Sequence, residues 1–297
     1  MSGLTDRVRD WQAAGTTEIV AGRSIHVRHV PGHDDPIVLL HGFPSSSYDF
    51  RRLLPLLGEH EILTFDFLGF GLSEKPAGGA YSLFPQADLV ESLVARRLPG
   101  RSVYVAAHDM GTSVATELLA RAVDGTGSLD LAGVLLFNGS IVLDRASLTP
   151  SQKLLRSRWG PLAARLSNRR VFRQQFGSLF TPEHPLSDEE AEDQWALICH
   201  NGGRTRGHEL IAYLDERIEH AGRWHGAIRD WRGPLSLAWG MQDPVATTAV
   251  LDAVRELRPA APCEELAELG HYPQLEDPER VAGAILSACC APPRSKS

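Results

Sequence analysis

Ala107-His108-Asp109-Met110-Gly111 sits between an apolar run, Ser102-Val-Tyr-Val-Ala106, and a helix-forming run from Thr112 to Arg121. Strand, tight turn and helix in that order are the sequence form of a nucleophile elbow, which lifts one side chain above the carboxyl end of a parallel sheet. The turn needs small residues on either side of the raised one, and Ala107 and Gly111 supply them around Asp109. Where a serine is usual, this chain has a carboxylate. A carboxylate can attack a saturated carbon and remain as a covalent ester, but it is poorly suited to direct acyl transfer to a hydroxyl.

Working outward, short β-rich runs alternate with amphipathic ones, and no period of tens of residues repeats. Residues 17–21 and 24–30, joined by Gly22-Arg23, read as an opening hairpin, and residues 37–40 as a buried strand. Residues 48–57 read as a helix capped from Ser45 to Ser47, 62–67 as a strand, and 85–98 as a helix ended by Pro99-Gly100. Strands are expected at 131–137, 234–239 and 263–269, and helices at 247–257 and 281–288, before a polar tail. Between 140 and 232 strand signals vanish, and Trp, Arg, Gln and Glu gather in helical stretches broken by prolines. The expected architecture is an α/β fold: a mostly parallel eight-stranded sheet with helices on both faces. Residues 1–139 and 233–297 would form the core, and 140–232 a helical cap above the strands' carboxyl ends.

Asp243 follows the strand after the helical stretch, and His271 follows the last strand, in Gly270-His271-Tyr272-Pro273. Elbow residue, acid and histidine thus occur in the chain order of a hydrolase triad, Asp109, Asp243 and His271. His41-Gly42-Phe43-Pro44 resembles a loop that donates one backbone N–H to an oxyanion. The N–H groups of Phe43 and Met110 are the expected pair. The turn Asp66-Phe67-Leu68-Gly69-Phe70-Gly71 lacks the full glycine pattern and the lysine of a phosphate cradle, and reads as structural. His108 is expected to hydrogen-bond within the fold. His26 and His29 alternate onto opposite faces of a strand, which argues against a metal there with His33. No metal or cofactor is expected.

With 297 residues and 43% apolar content, the chain can bury a large core. A net charge of −7 without a basic stripe argues against a nucleic-acid partner. The arginines at 96–97 and 169–173 read as solvated helix faces. The charged opening has no apolar signal core. No apolar run reaches the roughly 18 residues of a membrane span; the closest, from Leu131 to Leu143, is broken at Asn138, Gly139 and Ser140. Cys199, Cys263, Cys289 and Cys290 follow neither disulfide nor zinc spacing, so a reduced cytoplasm is the expected location.

Taken together, these motifs resemble the Asp-nucleophile branch of the α/β-hydrolase superfamily, which holds epoxide hydrolases and haloalkane dehalogenases. They are especially similar to the mesoderm-specific transcript group. The resembling stretches are residues 41–49, 66–71, 82–87, 108–109 and 271–278; residues 140–232 match only loosely, around Trp195 and Tyr213.

The resemblance implies a small organic substrate, apolar to moderately polar, and water as second reactant. Epoxide hydrolases of this branch protonate the opening oxygen from cap tyrosines, usually two; here Tyr213 is the candidate, with Trp195 a further substrate contact. Dehalogenases commonly hold the halide with Trp after the nucleophile and with Asn or a second Trp, whereas this chain has Met110 and Phe43. Arginines that would grip a fluoroacetate carboxylate just after the nucleophile are absent as well. Epoxide opening therefore leads. Dehalogenation, ester or lactone hydrolysis, and ligand binding without turnover stand as alternatives.

Overall fold

The computed structural model describes residues 3–79 and 81–289. Cys290 and the tail from 291 to 297 lie outside the described residues. Eight strands form one sheet in the order β1-β2-β4-β3-β5-β6-β7-β8. They are β1 (Thr16–Val20), β2 (Arg23–Val30), β3 (Asp34–Leu40), β4 (His60–Phe65), β5 (Val103–His108), β6 (Leu131–Phe137), β7 (Leu235–Gly240) and β8 (Cys263–Leu266). β2 pairs antiparallel with β1 and β4, and the pairs from β4 through β8 are parallel.

Helices cover both faces, so the buried stretches of the central strands are mostly apolar on both sides. Successive side chains separate into two cores: Val38, Leu40, Val105 and Ala107 pack on one side, and Ile37, Leu39, Tyr104 and Ala106 on the other. Each fully buried branched aliphatic contributes about 2 kcal/mol. α2 (Leu83–Arg97), α3 (Met110–Asp124), α11 (Thr248–Leu257) and α13 (Pro278–Cys289) supply the flanking layers, with the short α12 (Pro273–Glu276) before the last. α2 starts two residues ahead of the expected position, capped by Ser82, whose hydroxyl oxygen accepts from Phe84 N–H.

The stretch expected as one helix at 48–57 is instead two 3-10 turns, Ser47–Phe50 and Leu54–Leu56. Pro55 has no N–H to give, and its ring opposes the carbonyl four residues back. The last strand stops at Leu266 rather than 269, because Leu269 N–H turns back to the Leu266 carbonyl.

An amino-terminal helix, α1 (Asp6–Ala13), was not expected from the pattern. Its anchor is distant. Thr5 Oγ1 and Arg7 both donate to the buried Asp193 carboxylate, which also accepts from Tyr48 Oη at 2.7 Å.

Between β6 and β7 the described chain is helical: α4 (Pro150–Arg156), α5 (Gly160–Leu166), α6 (Arg169–Gly177), α7 (Asp188–Cys199), α8 (Gly207–Leu210), α9 (Tyr213–Glu219) and α10 (Ala221–Asp230), with short 3-10 turns at 143–145 and 200–205. α10 packs against α3 and α11. Among the described residues no helix is long and apolar enough to cross a membrane.

Candidate active site

β5 ends at His108, and the next residue turns the chain. Asp109 has φ 43° and ψ −111°, a backbone state that non-glycine residues rarely adopt. Three contacts hold it there: Asp109 N–H donates to the Phe137 carbonyl, and Thr112 N–H and Oγ1 donate to the Asp109 carbonyl. The small flank is required at Gly111, where an added Cβ would stand 2.5 Å from the Leu40 carbonyl oxygen. Gly42 is equally constrained, since a Cβ there would lie 2.7 Å from the Asp109 Cβ.

That closeness brings the His41-Gly42-Phe43 loop onto the carboxylate. Phe43 N–H donates to Asp109 Oδ2 at 2.9 Å. Met110, the other expected donor, opens α3 directly after Asp109, but its N–H makes no hydrogen bond to this carboxylate. Oδ1 meets a different group: Arg217 Nη2, 3.9 Å away.

Asp243 sits on the loop after β7 and is fully engaged. Oδ1 accepts from Val245 N–H at 2.7 Å and Ala246 N–H at 2.9 Å; Oδ2 accepts from His271 Nδ1 at 2.7 Å and Asn138 Nδ2 at 2.8 Å. Burial opposes the charge on Asp243, yet the imidazole and these donors outweigh it and hold the carboxyl below its ordinary range. For His271 burial likewise opposes protonation, and the Asp243 charge and hydrogen bond win, so its pKa is raised; Asp109 adds to that pull. Asp109, Asp243 and His271 are thus brought to one place. With Nδ1–H donated to Asp243, Nε2 is the ring's basic nitrogen.

His108 is an internal strut. Its Nε2–H donates to the His271 carbonyl at 2.7 Å, and Nδ1 accepts from Gln274 at 3.2 Å. Burial, with the nearby His271, lowers its pKa to about 4 and keeps it neutral. The Asp66 turn is structural too: its carboxylate collects Ser47 N–H and Oγ and Leu72 N–H, while Gly69 and Gly71 take positive φ.

Tyr213, on α9, is buried with its hydroxyl unpartnered, and its ring packs 5.9 Å from Phe43. Burial chiefly, and the Asp109 charge next, raise its pKa. Trp195, on α7, lines the cavity wall beside Phe172 and Phe176. That cavity, about 970 Å3 counted out to its mouth, ends inward at Phe43 and His271. Lys75 also lines it, donating to the Gly71 and Leu197 carbonyls, with its pKa lowered by burial to about 8.

Two residues escaped the sequence reading. Asn138 follows β6 at φ 49°, accepts Gly240 N–H, and donates to Asp243. A polar residue directly after a buried strand, tolerant of positive φ, was the available signal. Arg217 is 1% exposed. It donates through Nε to Ser113 Oγ at 2.7 Å, through Nη1 to Ser140 Oγ at 2.6 Å, and through Nη2 to the Asp109 carbonyl at 3.1 Å. Its four-residue spacing from Tyr213 places both on one face of α9, and its guanidinium lies 4.7 Å from the Tyr213 ring centre.

Residues 37–284 match the model of the alpha/beta hydrolase family. The chain belongs to the α/β-hydrolase family. The Mycobacterium tuberculosis protein LipZ is 55% identical over 280 residues, covering 94% of this chain and 97% of LipZ. The human mesoderm-specific transcript homolog protein is 34% identical, over 93% of this chain and 85% of its own. Among solved structures, the haloalkane dehalogenase DbeA of Bradyrhizobium elkani superposes with TM-score 0.75 at 23% identity, over 92% of this chain and 98% of DbeA. That likeness concerns the fold.

Proposed function

We propose that this hydrolase works through a covalent ester on Asp109, opening an epoxide or a similarly strained C–O bond, with residues 140–232 as the cap over the site. Support comes from the asymmetry of the Asp109 carboxylate: Oδ2 is pinned by Phe43 N–H, while Oδ1 has no hydrogen bond. Oδ1 attacks carbon in line with the departing oxygen, which takes the proton of the unpartnered Tyr213 hydroxyl. In the second step His271 Nε2 removes a proton from water, and the hydroxide adds to the ester carbonyl. The negative charge then grows on Oδ2, beside Phe43 N–H and at the start of α3, a setting typically worth about 3 kcal/mol per donor. Collapse frees the diol and restores Asp109; the proton on His271 returns through solvent to the tyrosinate.

A strained lactone is the second reading. Attack at its alkyl carbon would expel a carboxylate, and Arg217 places a buried cation beside Oδ1. Halide expulsion is less well supported, because neither Phe43 nor Met110 has a side-chain N–H to receive the ion.

The test is a single turnover in 18O-water with terminal epoxides and β-lactones, followed by mass analysis of the peptide containing Asp109. One 18O atom should enter Asp109, and His271→Gln should accumulate the intact adduct. Turnover without label in Asp109 would mean direct attack by water. Tight binding without turnover, unchanged in Asp109→Asn, would mean a ligand-binding protein instead.

A further inference from the structure

We infer that the outer face of α5, with its flanks on α4 and α6, docks on an anionic phospholipid bilayer. Eight large apolar side chains stand exposed among the described residues, and five of them fall between 154 and 171: Leu154, Trp159, Leu162, Leu166 and Val171. Trp159, Leu162 and Leu166 are spaced i, i+3, i+7, so they form one stripe, exposed by 55%, 51% and 69%. A surface helix ordinarily turns such a stripe inward. In α5 the order is reversed: the buried positions are Gly160 and Ala164, and a Cβ at Gly160 would stand 2.0 Å from the Leu155 carbonyl. The small residues let α5 pack closely, and the large apolar ones are left facing outward.

Within the segment that carries the stripe, the charge is of one sign. Residues 150–177 hold Lys153, Arg156, Arg158, Arg165, Arg169, Arg170 and Arg173 and no acidic residue, in a chain of net charge −7. Arg156, Arg169 and Arg173 reach Asp215, Glu192 and Asp188 on neighbouring elements. Lys153, Arg158, Arg165 and Arg170 are exposed, and Arg158 lies 4.9 Å from the Trp159 ring centre.

This charge selects the occupant. A second copy seated by two-fold symmetry would bring the same cations against themselves. An anionic bilayer offers phosphate to the basic rim and an acyl boundary to the leucines, with Trp suited to the layer between. The opposite side of these helices faces the cavity: Leu155, Ala164, Ser167 and Phe172 line it. Docking would therefore set the cavity's outer wall against the membrane, where an apolar substrate is concentrated. The inference stands whichever bond the site breaks.

The experiment is pelleting of the full chain with phosphatidylcholine vesicles, with or without phosphatidylglycerol, alongside quenching of tryptophan by bromolipid. The bound fraction is expected to rise with phosphatidylglycerol and fall with salt. The partition coefficient is expected to drop at least about tenfold in Leu162→Glu/Leu166→Glu and in Lys153→Glu/Arg158→Glu/Arg165→Glu. Quenching is expected to weaken in Trp159→Phe. All these side chains are exposed, and unchanged thermal midpoints would show the variants folded. Wild-type protein left in the supernatant by phosphatidylglycerol vesicles at low salt overturns the inference, as does binding that the variants leave intact. A concentration-dependent dimer that Leu162→Glu/Leu166→Glu dissociates would assign the face to a second copy.

Discussion

Arg217 reaches from α9 to Asp109, just before α3: one guanidinium nitrogen lies 3.1 Å from the Asp109 backbone carbonyl and 3.9 Å from its carboxylate. Its remaining hydrogen bonds go to the hydroxyls of Ser113 and Ser140, so a fully buried cation has two hydroxyls, one carbonyl, the elbow carboxylate and the Tyr213 ring for company.

Removing that cation leaves Asp109 without its nearby positive charge and takes the guanidinium donor from Ser113 Oγ, Ser140 Oγ and the Asp109 carbonyl, of which the last keeps its bonds from Thr112. Arg217→Met is expected to cost about 3 kcal/mol, read as a lowered urea midpoint. Arg217→Lys should recover only part of it, because an ammonium cannot reach Ser113, Ser140 and Asp109 with one fork-shaped group. A midpoint unchanged in Arg217→Met would show that these bonds contribute nothing net.

Tyr213→Phe separates stability from chemistry. The hydroxyl is buried and unpartnered, so its loss is expected to leave the urea midpoint unchanged or raise stability by about 1 kcal/mol. Turnover of an epoxide should nonetheless fall by about a hundredfold or more if this phenol protonates the leaving oxygen. Full activity in the variant would remove Tyr213 from the mechanism.

The Asp243–His271 pair sets a pH signature. His271 must be neutral to accept a proton from water, and its pKa is raised, so the acidic limb of the kcat profile should lie above the ordinary histidine value of about 6.5. In Asp243→Asn the limb should move to lower pH as maximal activity falls. The stabilities follow the same pair. A raised histidine stabilises fully below its unfolded pKa and loses that contribution as pH rises through the folded one. A depressed carboxyl stabilises above its unfolded pKa and loses that as pH falls through the folded one. The gap between wild type and Asp243→Asn should therefore be widest between about pH 4 and 6.5, measurable by urea titration across pH.

Asp49 should behave in the opposite sense. It is fully buried, accepts from Ser45 Oγ and Gln194 Nε2, and burial, opposed by those donors and aided by Glu190, pushes its pKa up to about 7. Between about pH 4 and 7 the unfolded chain has lost this proton while the folded chain keeps it, so Asp49 makes folding less favourable as pH rises. Asp49→Asn is expected to gain on wild type across that interval and to hold a constant difference above it. Parallel stability curves would contradict this.

The sequence disclosed what local chemistry dictates. Gly111 marks the elbow because the backbone there approaches Leu40 too closely for a side chain, and Asp243 and His271 are visible because each follows a strand. Contacts made across the fold left no comparable trace. Arg217 is 104 positions from Ser113, so its burial beside Asp109 depends on where α9 comes to rest. Asn138 looked like a mere interruption of an apolar run. α1 buries only Val8 and Trp11 and has too little apolar stripe to announce a helix. At 48–57 the apolar pattern suggested a helix, but Pro55 prevailed.

The contacts of Thr5 and Arg7 with Asp193 make the opening of α1 a clasp across the molecule. Trimming the chain to begin after Arg7 would spare every strand and every residue around Asp109. It would also strip a buried anion of all these partners but the Tyr48 hydroxyl, and α7, with Trp195 in the cavity wall, would lose one of its fastenings and keep those of Gln194 to Asp49 and Glu190 to Arg51. Damage at the amino terminus would then surface as a slackened binding chamber far from the cut.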